Sequence, residues 1–327
     1  MTVSLEDWQV GPGNRWAYQH VDELVPTVVV SRGTGPVLEL AERPLPLDVA
    51  DPPYLDGLAV LRDGALVLER YANGMEASTL HLSQSVGKSV LGLLVGALRL
   101  DPAMAVTELV PELAGSGYDG ARVQHLLDMT AAIDFVEDYA DFWRYDAACA
   151  WHPLAPGVPE TILDFLRTIG PAAWAHGERF HYATPNTDLL GIVAERAGGA
   201  PLAELIAREL WAPMGAERDA LLTVDHAGTA AIGGGFCATL RDYARLGEHV
   251  RRSRTPGLGE GELARGVQPG ATGYGRQWWT IDGRLTAWGI HGQRIAVGER
   301  TVVAILSSWP EAEGLEAVHR ALVAELS

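Results

Sequence analysis

The sequence predicts an α+β fold, on three observations: strand patterns near both ends of the chain, helical patterns through the middle, and apolar material for a large core. Ala59 to Tyr71 alternates around Asp63-Gly64, a dipeptide that two-residue hairpin turns select because both turn positions need a positive φ. Helical periodicity dominates from Ser85 to about Leu246, punctuated by proline and glycine loops. The end returns to strands, turning at Asp282-Gly283 and Gly298-Glu299, and closes with a helix over Ala312 to Leu326. With 327 residues, 47% of them hydrophobic, one large or two modest domains are possible. The first 55 residues are proline-rich around the short apolar run Val28 to Val30 and read as an extended arm or lid packed on the core. No internal repeat is visible.

A net charge of −17 opposes partnership with nucleic acid or an anionic membrane, since neither supplies positive charge. The N-terminus, Met1 to Trp8, has neither a basic start nor an apolar core, so no secretion signal is expected and the location should be cytoplasmic. No stretch of about 18 uncharged apolar residues offers a membrane span. Cys149 and Cys237 stand alone without metal spacing, and the ten histidines include no His-Glu-x-x-His. Neither a metal nor a cofactor is expected, and oligomeric state is not readable.

Lys88 is the single lysine, so the 25 basic residues include 24 arginines. Arginine stays charged, whereas a buried lysine can approach neutrality and act as a base. Lys88 follows a serine by three residues in Ser85-Val86-Gly87-Lys88, at the head of the proline-free apolar run Val90 to Leu100. Residues three apart on a helix share a face, about 5 Å apart, so the amine can reach the hydroxyl. The helix N-terminus favours a developing alkoxide there. A weak nucleophile thereby gains a base and an electrostatic aid.

Two other motifs overlap these residues. Gly87-Lys88-Ser89 imitates the end of a phosphate-binding loop, but Leu82 stands where that loop needs glycine. Ser83-Gln84-Ser85-Val86-Gly87 is a degenerate nucleophile elbow that lacks its first glycine and leaves Lys88 unexplained. A serine capping a helix beside a solvated lysine is the plain structural alternative.

Two later segments weigh against that alternative. Phe180 to Gly191 contains Tyr182-Ala183-Thr184-Pro185-Asn186-Thr187-Asp188-Leu189-Leu190-Gly191, and Thr286 to Gln293 contains Ala287-Trp288-Gly289-Ile290-His291. Ser-x-x-Lys, a tyrosine before a Leu-Leu-Gly helix, and a late glycine-bearing strand together resemble the penicillin-recognising serine hydrolases, in the class C β-lactamase-like branch. His125-Leu126-Leu127-Asp128-Met129-Thr130 and Gly233-Gly234-Gly235-Phe236-Cys237-Ala238-Thr239 resemble further segments of that branch, in the expected order, from about position 55 to the end. Within it, the Tyr182 to Gly191 and Trp288 to Gln293 segments look most like 6-aminohexanoate-dimer hydrolases, the nylon-oligomer amidases, and related carboxylesterases.

The resemblance implies a β-lactamase/penicillin-binding-protein-like fold: an antiparallel sheet flanked by helices, built from residues 56–95 plus 270–327, with a mainly helical domain, 96–269, inserted and the arm 1–55 packed on the core. It implies Ser85 as acyl-accepting nucleophile, Lys88 as proton acceptor and Tyr182 as the proton relay to the leaving group. Tyrosine and lysine side by side would each have a depressed pKa and share one proton near neutrality. The oxyanion hole would use the backbone N–H groups of Ser85 and Ile290, with Gly289 at the family's Lys-Thr-Gly glycine. Ala287-Trp288 replaces the lysine and threonine of that segment, which argues against efficient penicillin turnover. Thr184 stands where class C β-lactamases carry asparagine, and Thr130-Ala131-Ala132 replaces Thr-Ser-Gly. His291 is a candidate to orient the leaving group, or a satisfied polar residue. Tyr139, the nearest match to a substrate-covering loop tyrosine, and Trp143 and Trp288 are candidate pocket walls. Acidic side chains around Tyr139 could attract a substrate ammonium or simply be solvated.

The expected activity is hydrolysis of short linear amides or esters through an acyl-enzyme. An acyltransferase using an amine or alcohol acceptor, and a catalytically silent ligand-binding relative, are the alternatives.

Overall fold

A computed structural model describes residues 3–138, 142–263 and 267–327. Its strands are β1 (Thr27–Val30), β2 (Leu55–Arg62), β3 (Ala65–Tyr71), β4 (His81–Leu82), β5 (Ala220–Thr223), β6 (Phe236–Ala238), β7 (Ala271–Gly275), β8 (Trp278–Ile281), β9 (Arg284–Gly289), β10 (Gln293–Val297) and β11 (Thr301–Ser307). The four longest helices among the described residues are α1 (Val86–Leu98), α2 (Thr184–Gly198), α3 (Leu240–Ser253) and α4 (Glu316–Leu326).

Seven strands form an antiparallel sheet in the order β3-β2-β11-β10-β9-β8-β7. All three turns expected from sequence are present: Asp63 and Gly64 have φ of 52° and 81° and Asp282 and Gly283 of 49° and 73°, the mirror-image turns that match strand twist, and Gly298-Glu299 lies between β10 and β11, where the Gly298 N–H donates to the Thr301 carbonyl at 2.8 Å. Central strands are apolar on both faces because both are covered. From β2 and β11, Leu58, Val60, Val303 and Ile305 pack against Leu322, Val323 and Leu326 of α4. The alternate residues Ala59, Leu61, Val302 and Ala304 join the main core, against α3. Helix α4 starts at Glu316, later than the expected Ala312, because Gly314 adopts φ of 121° just before it.

The middle of the chain departs from a purely helical reading. Strands β5 and β6 lie inside 96–269 and form a second sheet, ordered β1-β5-β6-β4. At three residues beside Gly233-Gly234-Gly235, β6 is too short to show alternation. The N-terminal residues contribute more than an extended arm: β1 pairs with β5, while Trp8 and Tyr18 are buried in the main core.

Helix α1 runs between the two parts, buried from Val86 through Val95, so its first turn lies where sheet and helical region meet. Gly87 permits that position: a Cβ there would lie 2.3 Å from the Ile232 carbonyl oxygen.

Candidate active site

Ser85 caps α1 and Lys88 sits one turn on, its side chain 1% exposed. Lys88 Nζ lies 2.8 Å from Ser85 Oγ, 2.9 Å from Thr184 Oγ1 and 2.7 Å from the Gly233 carbonyl oxygen. Burial pushes its pKa down to about 8, against the opposing pull of Glu137 and Asp188.

The partners of Lys88 are themselves fixed. The Thr184 hydroxyl donates to Glu137 Oε1, and the Thr184 N–H donates to Glu137 Oε2 at 2.8 Å. The Gly233 N–H donates to Asp188 Oδ1 at 2.6 Å, and the Tyr145 hydroxyl donates to Asp188 Oδ2. A Cβ at Gly233 would fall 2.6 Å from Thr184 Cγ2, so glycine lets this backbone press against the lysine. Burial raises both carboxylates: Glu137 above its ordinary value and Asp188 to about 6.

Tyr182 reaches the same place from the chain entering α2. Lys88 Nζ stands 5.2 Å from its ring centroid, so the amine faces the ring, not the phenolic oxygen. The buried hydroxyl approaches Ser85 without a well-formed hydrogen bond. Its pKa is raised, because burial dominates and Glu137 adds to it. This corrects the expected depression: Tyr182 is held as a neutral phenol, while Lys88 alone of the pair moves toward neutrality.

Strand β9 passes close to Ser85. A Cβ on Gly289 would lie 2.6 Å from the Ser83 carbonyl oxygen and 3.0 Å from Ser85 N, so the close approach itself requires glycine. Ile290 follows at the start of the 290–292 turn. Among the described residues, no acceptor takes the N–H of Ser85 or Ile290, and both residues line one cavity. His291 lines it too, but is held: its Nδ1 bonds the Trp309 carbonyl at 2.8 Å, and burial lowers its pKa to about 4. It is a neutral wall residue.

That cavity, of about 230 Å³, includes Ser85 in its wall and is bounded by Trp8, Trp143, Trp151 and Phe142. Its polar lining includes the carboxyl groups of Glu137, Asp146 and Asp188. Asp146, held by Gln9 Nε2 at 2.8 Å, has its pKa raised to about 7 by burial. Trp143 lines this cavity, whereas Trp288 packs into an aromatic cluster with Met129, Tyr274 and Trp279 and does not line it. Tyr139 lies outside the described residues.

A family model described as Beta-lactamase matches residues 56–327. The chain belongs to the beta-lactamase family. Its similarity extends to the 6-aminohexanoate-dimer hydrolase of Paenarthrobacter ureafaciens, 37% identical over 349 aligned positions that span 94% of this chain and 88% of that protein. Among solved structures, a Bacillus anthracis protein described provisionally as a 6-aminohexanoate-dimer hydrolase superposes with a TM-score of 0.86 at 23% identity, covering 99% of this chain and 95% of its own. A beta-lactamase/D-alanine carboxypeptidase from Yersinia pestis gives 0.63 at 17% identity, over 83% and 92%. The antiparallel sheet and flanking helices are thus those of the beta-lactamase and penicillin-binding-protein fold, and the chain is an enzyme of this serine hydrolase family. No helix among the described residues is long and apolar enough to cross a membrane, and among the same residues no cluster of His, Cys, Asp or Glu is arranged to hold a metal ion.

The sequence marks Thr184 only as a departure from the class C pattern; Glu137 and Asp146 fall in the stretch around Tyr139 whose acids could attract a substrate ammonium or be solvated, and Asp188 falls in the Tyr182 to Gly191 motif with no role of its own. The signal for Thr184 was its spacing, two residues after Tyr182. The contribution of Trp8 and Gln9 to the pocket left no sequence signal.

Proposed function

We propose that this enzyme cleaves short linear amides and esters through an acyl-enzyme on Ser85, and that it favours acyl chains ending in an ammonium group. The observation that carries the reading is the set of three contacts around Lys88 Nζ. A neutral amine has two hydrogens and one lone pair. Thr184 Oγ1 spends its own hydrogen on Glu137 and so accepts from Lys88, and the Gly233 carbonyl can only accept. Both amine hydrogens are then committed, and the lone pair is left facing Ser85 Oγ–H at 2.8 Å.

From that geometry, Lys88 takes the Ser85 proton as Oγ attacks the substrate carbonyl. The N–H groups of Ser85 and Ile290, both unspent, receive the oxyanion. Neutral Tyr182, whose hydroxyl approaches Ser85, passes a proton to the departing nitrogen or oxygen, and the proton that Lys88 took from Ser85 returns to it when the phenol turns from the serine toward the ammonium over its ring. Water then attacks the acyl-enzyme, returning Ser85 to its hydroxyl form and releasing the acid.

Substrate preference rests on the cavity's charge. Glu6, Glu137, Asp146 and Asp188 line the cavity, with no arginine among its lining residues, which favours a cation at the far end of an apolar acyl chain. The relative named for 6-aminohexanoate-dimer hydrolysis is in keeping with this. The test is initial-rate hydrolysis of a 6-aminohexanoate dimer, its N-acetylated counterpart and p-nitrophenyl esters. The reading expects the free amine to be preferred over its acetylated form and Ser85→Ala to be inactive. Equal rates for the two amides would refute the ammonium preference.

A further inference from the structure

The turn that carries Ile290 is shaped by a loop that lies after β11 in sequence. His291, next to Ile290, has φ of 60° and ψ of 16°, in the left-handed region. A residue other than glycine keeps that backbone only where its surroundings over-determine it. The His291 N–H donates to the Ala312 carbonyl at 2.9 Å, and its carbonyl accepts from the Trp309 N–H at 3.2 Å. Its ring bonds the Trp309 carbonyl at 2.8 Å, and because a carbonyl only accepts, the neutral imidazole carries its hydrogen on Nδ1. Gln293, fully buried, adds a bond to the His291 carbonyl at 3.3 Å while holding the Ser307 carbonyl at 2.6 Å. The turn is therefore moulded on the 309–312 loop, and the direction of the Ile290 N–H follows the position of that loop.

The loop is held in turn by the N-terminal residues. The Gly11 N–H donates to the Pro310 carbonyl at 2.9 Å, and Asn14 Nδ2 donates to the Trp309 carbonyl at 2.7 Å. A Cβ on Gly11 would lie 2.2 Å from Pro310 Cβ, so the two segments are in direct contact. Asn14 is fully buried, and its Oδ1 has no hydrogen-bond partner. Leaving half of a buried amide unsatisfied is unfavourable, and what the side chain contributes against that is its donor. One carbonyl oxygen has two lone pairs, and that of Trp309 takes Asn14 Nδ2 and His291 Nδ1. Val10 lines the Ser85 cavity but Asn14 does not, so Asn14 reaches the chemistry only through the loop.

We propose that Asn14 is a positioning residue for the oxyanion hole, setting the aim of the Ile290 N–H through the Trp309 carbonyl and His291. This role rests on the Ser85 and Ile290 oxyanion hole of the proposed mechanism. Without the amide donor, the Trp309 carbonyl keeps one of these two bonds, the 309–312 loop is released from the N-terminal residues, and the left-handed turn relaxes with it. The Ile290 N–H then meets the developing oxyanion poorly. Lys88, bonded to Ser85, Thr184 and Gly233 and not to this loop, keeps its basicity.

The test compares wild type, Asn14→Leu and Gly289→Ala in the full chain, with a neutral p-nitrophenyl ester as substrate and an alkylboronic acid as inhibitor. Ser85 Oγ adds to the trigonal boron, its proton passes to Lys88, and a boron-bound oxygen occupies the oxyanion hole, so the inhibitor reads the hole without turnover. Asn14→Leu is expected to lower kcat by about 10- to 100-fold, the scale of a displacement of up to about 1 Å at the reacting centre. The inhibition constant of the boronic acid should rise by a similar factor, with KM nearly unchanged and the rising limb of the pH profile still at about 8. A purely structural role would lower the melting temperature and leave kcat and boronate affinity of the folded protein as in wild type. If Asn14→Leu does not fold, Gly11→Ala, which displaces the same loop by crowding Pro310, takes its place. Wild-type kcat and boronate affinity in the Asn14 variant, with both impaired in Gly289→Ala, would overturn this proposal alone. Wild-type values in both variants would refute the oxyanion hole itself, and the role of Asn14 with it.

Discussion

Glu137→Gln tests how the environment of Lys88 sets its basicity. The two hydrogen bonds joining Lys88 Nζ to Glu137 through Thr184 Oγ1 measure 2.9 and 2.5 Å, so amine and carboxylate oxygen are at most about 5.4 Å apart. At an effective dielectric constant of about 20, their attraction is about 3 kcal/mol, or about two pKa units. Glu137 is half-buried, so solvent reduces the effect, and a shift of about one to two units is expected. Glutamine keeps a carbonyl oxygen for the Thr184 hydroxyl and removes the charge. Lys88 works as the neutral amine, so kcat/KM rises with pH through its pKa, about 8 in the wild type. Glu137 favours the ammonium form; without it the rising limb moves to lower pH. The assay is the pH profile of kcat/KM with a neutral p-nitrophenyl ester, for which attraction of the substrate to Glu137 plays no part. A limb that stays in place or moves to higher pH would refute the reasoning.

Lys88→Arg should lower kcat by about 10²- to 10⁴-fold, since arginine cannot give up its proton, while circular dichroism still reports a folded chain. Gly289→Ala places a methyl group 2.6 Å from the Ser83 carbonyl oxygen and should push β9 away from Ser85, cutting kcat by about 10²- to 10³-fold as an oxyanion donor is lost; unchanged kcat would remove Ile290 from the mechanism. Asp146 loses its charge as pH falls through about 7, so KM for a cationic amide should rise below that pH while KM for a neutral ester stays level, and Asp146→Asn should abolish the difference. Trp8→Ala removes a ring that is 1% exposed and its 2.8 Å bond to the Trp151 carbonyl, and urea titration should show a loss of about 3–5 kcal/mol.

The parts of this molecule that were legible in the sequence are those written in local pattern. Asp63-Gly64 and Asp282-Gly283 specify their turns through positive φ alone, and Ser85 with Lys88 needs only helical spacing to meet. Tyr182 and Ile290 stand out by the order of motifs along the chain, and the fold puts Ile290 in the wall of the Ser85 cavity and the Tyr182 hydroxyl near Ser85. What remained hidden depends on long-range contact. Thr184 becomes a fixed acceptor only because Glu137, 47 positions earlier, takes its hydrogen. Tyr182 keeps its proton because it is buried and the Glu137 carboxylate adds to the effect, surroundings that no sequence pattern encodes. Trp8 and Gln9 enter the pocket because the N-terminal residues fold back against the Trp151 carbonyl and Asp146.

The central claim is that Ser85 carries the acyl group, and intact mass spectrometry tests it most directly. Wild type and Ser85→Ala are mixed briefly with p-nitrophenyl acetate and, separately, with a 6-aminohexanoate dimer, then quenched in acid. The account predicts a transient adduct of one acyl group on the wild type and none on the variant. An adduct that persists in Ser85→Ala, or turnover of either substrate by that variant at the wild-type rate, would contradict it.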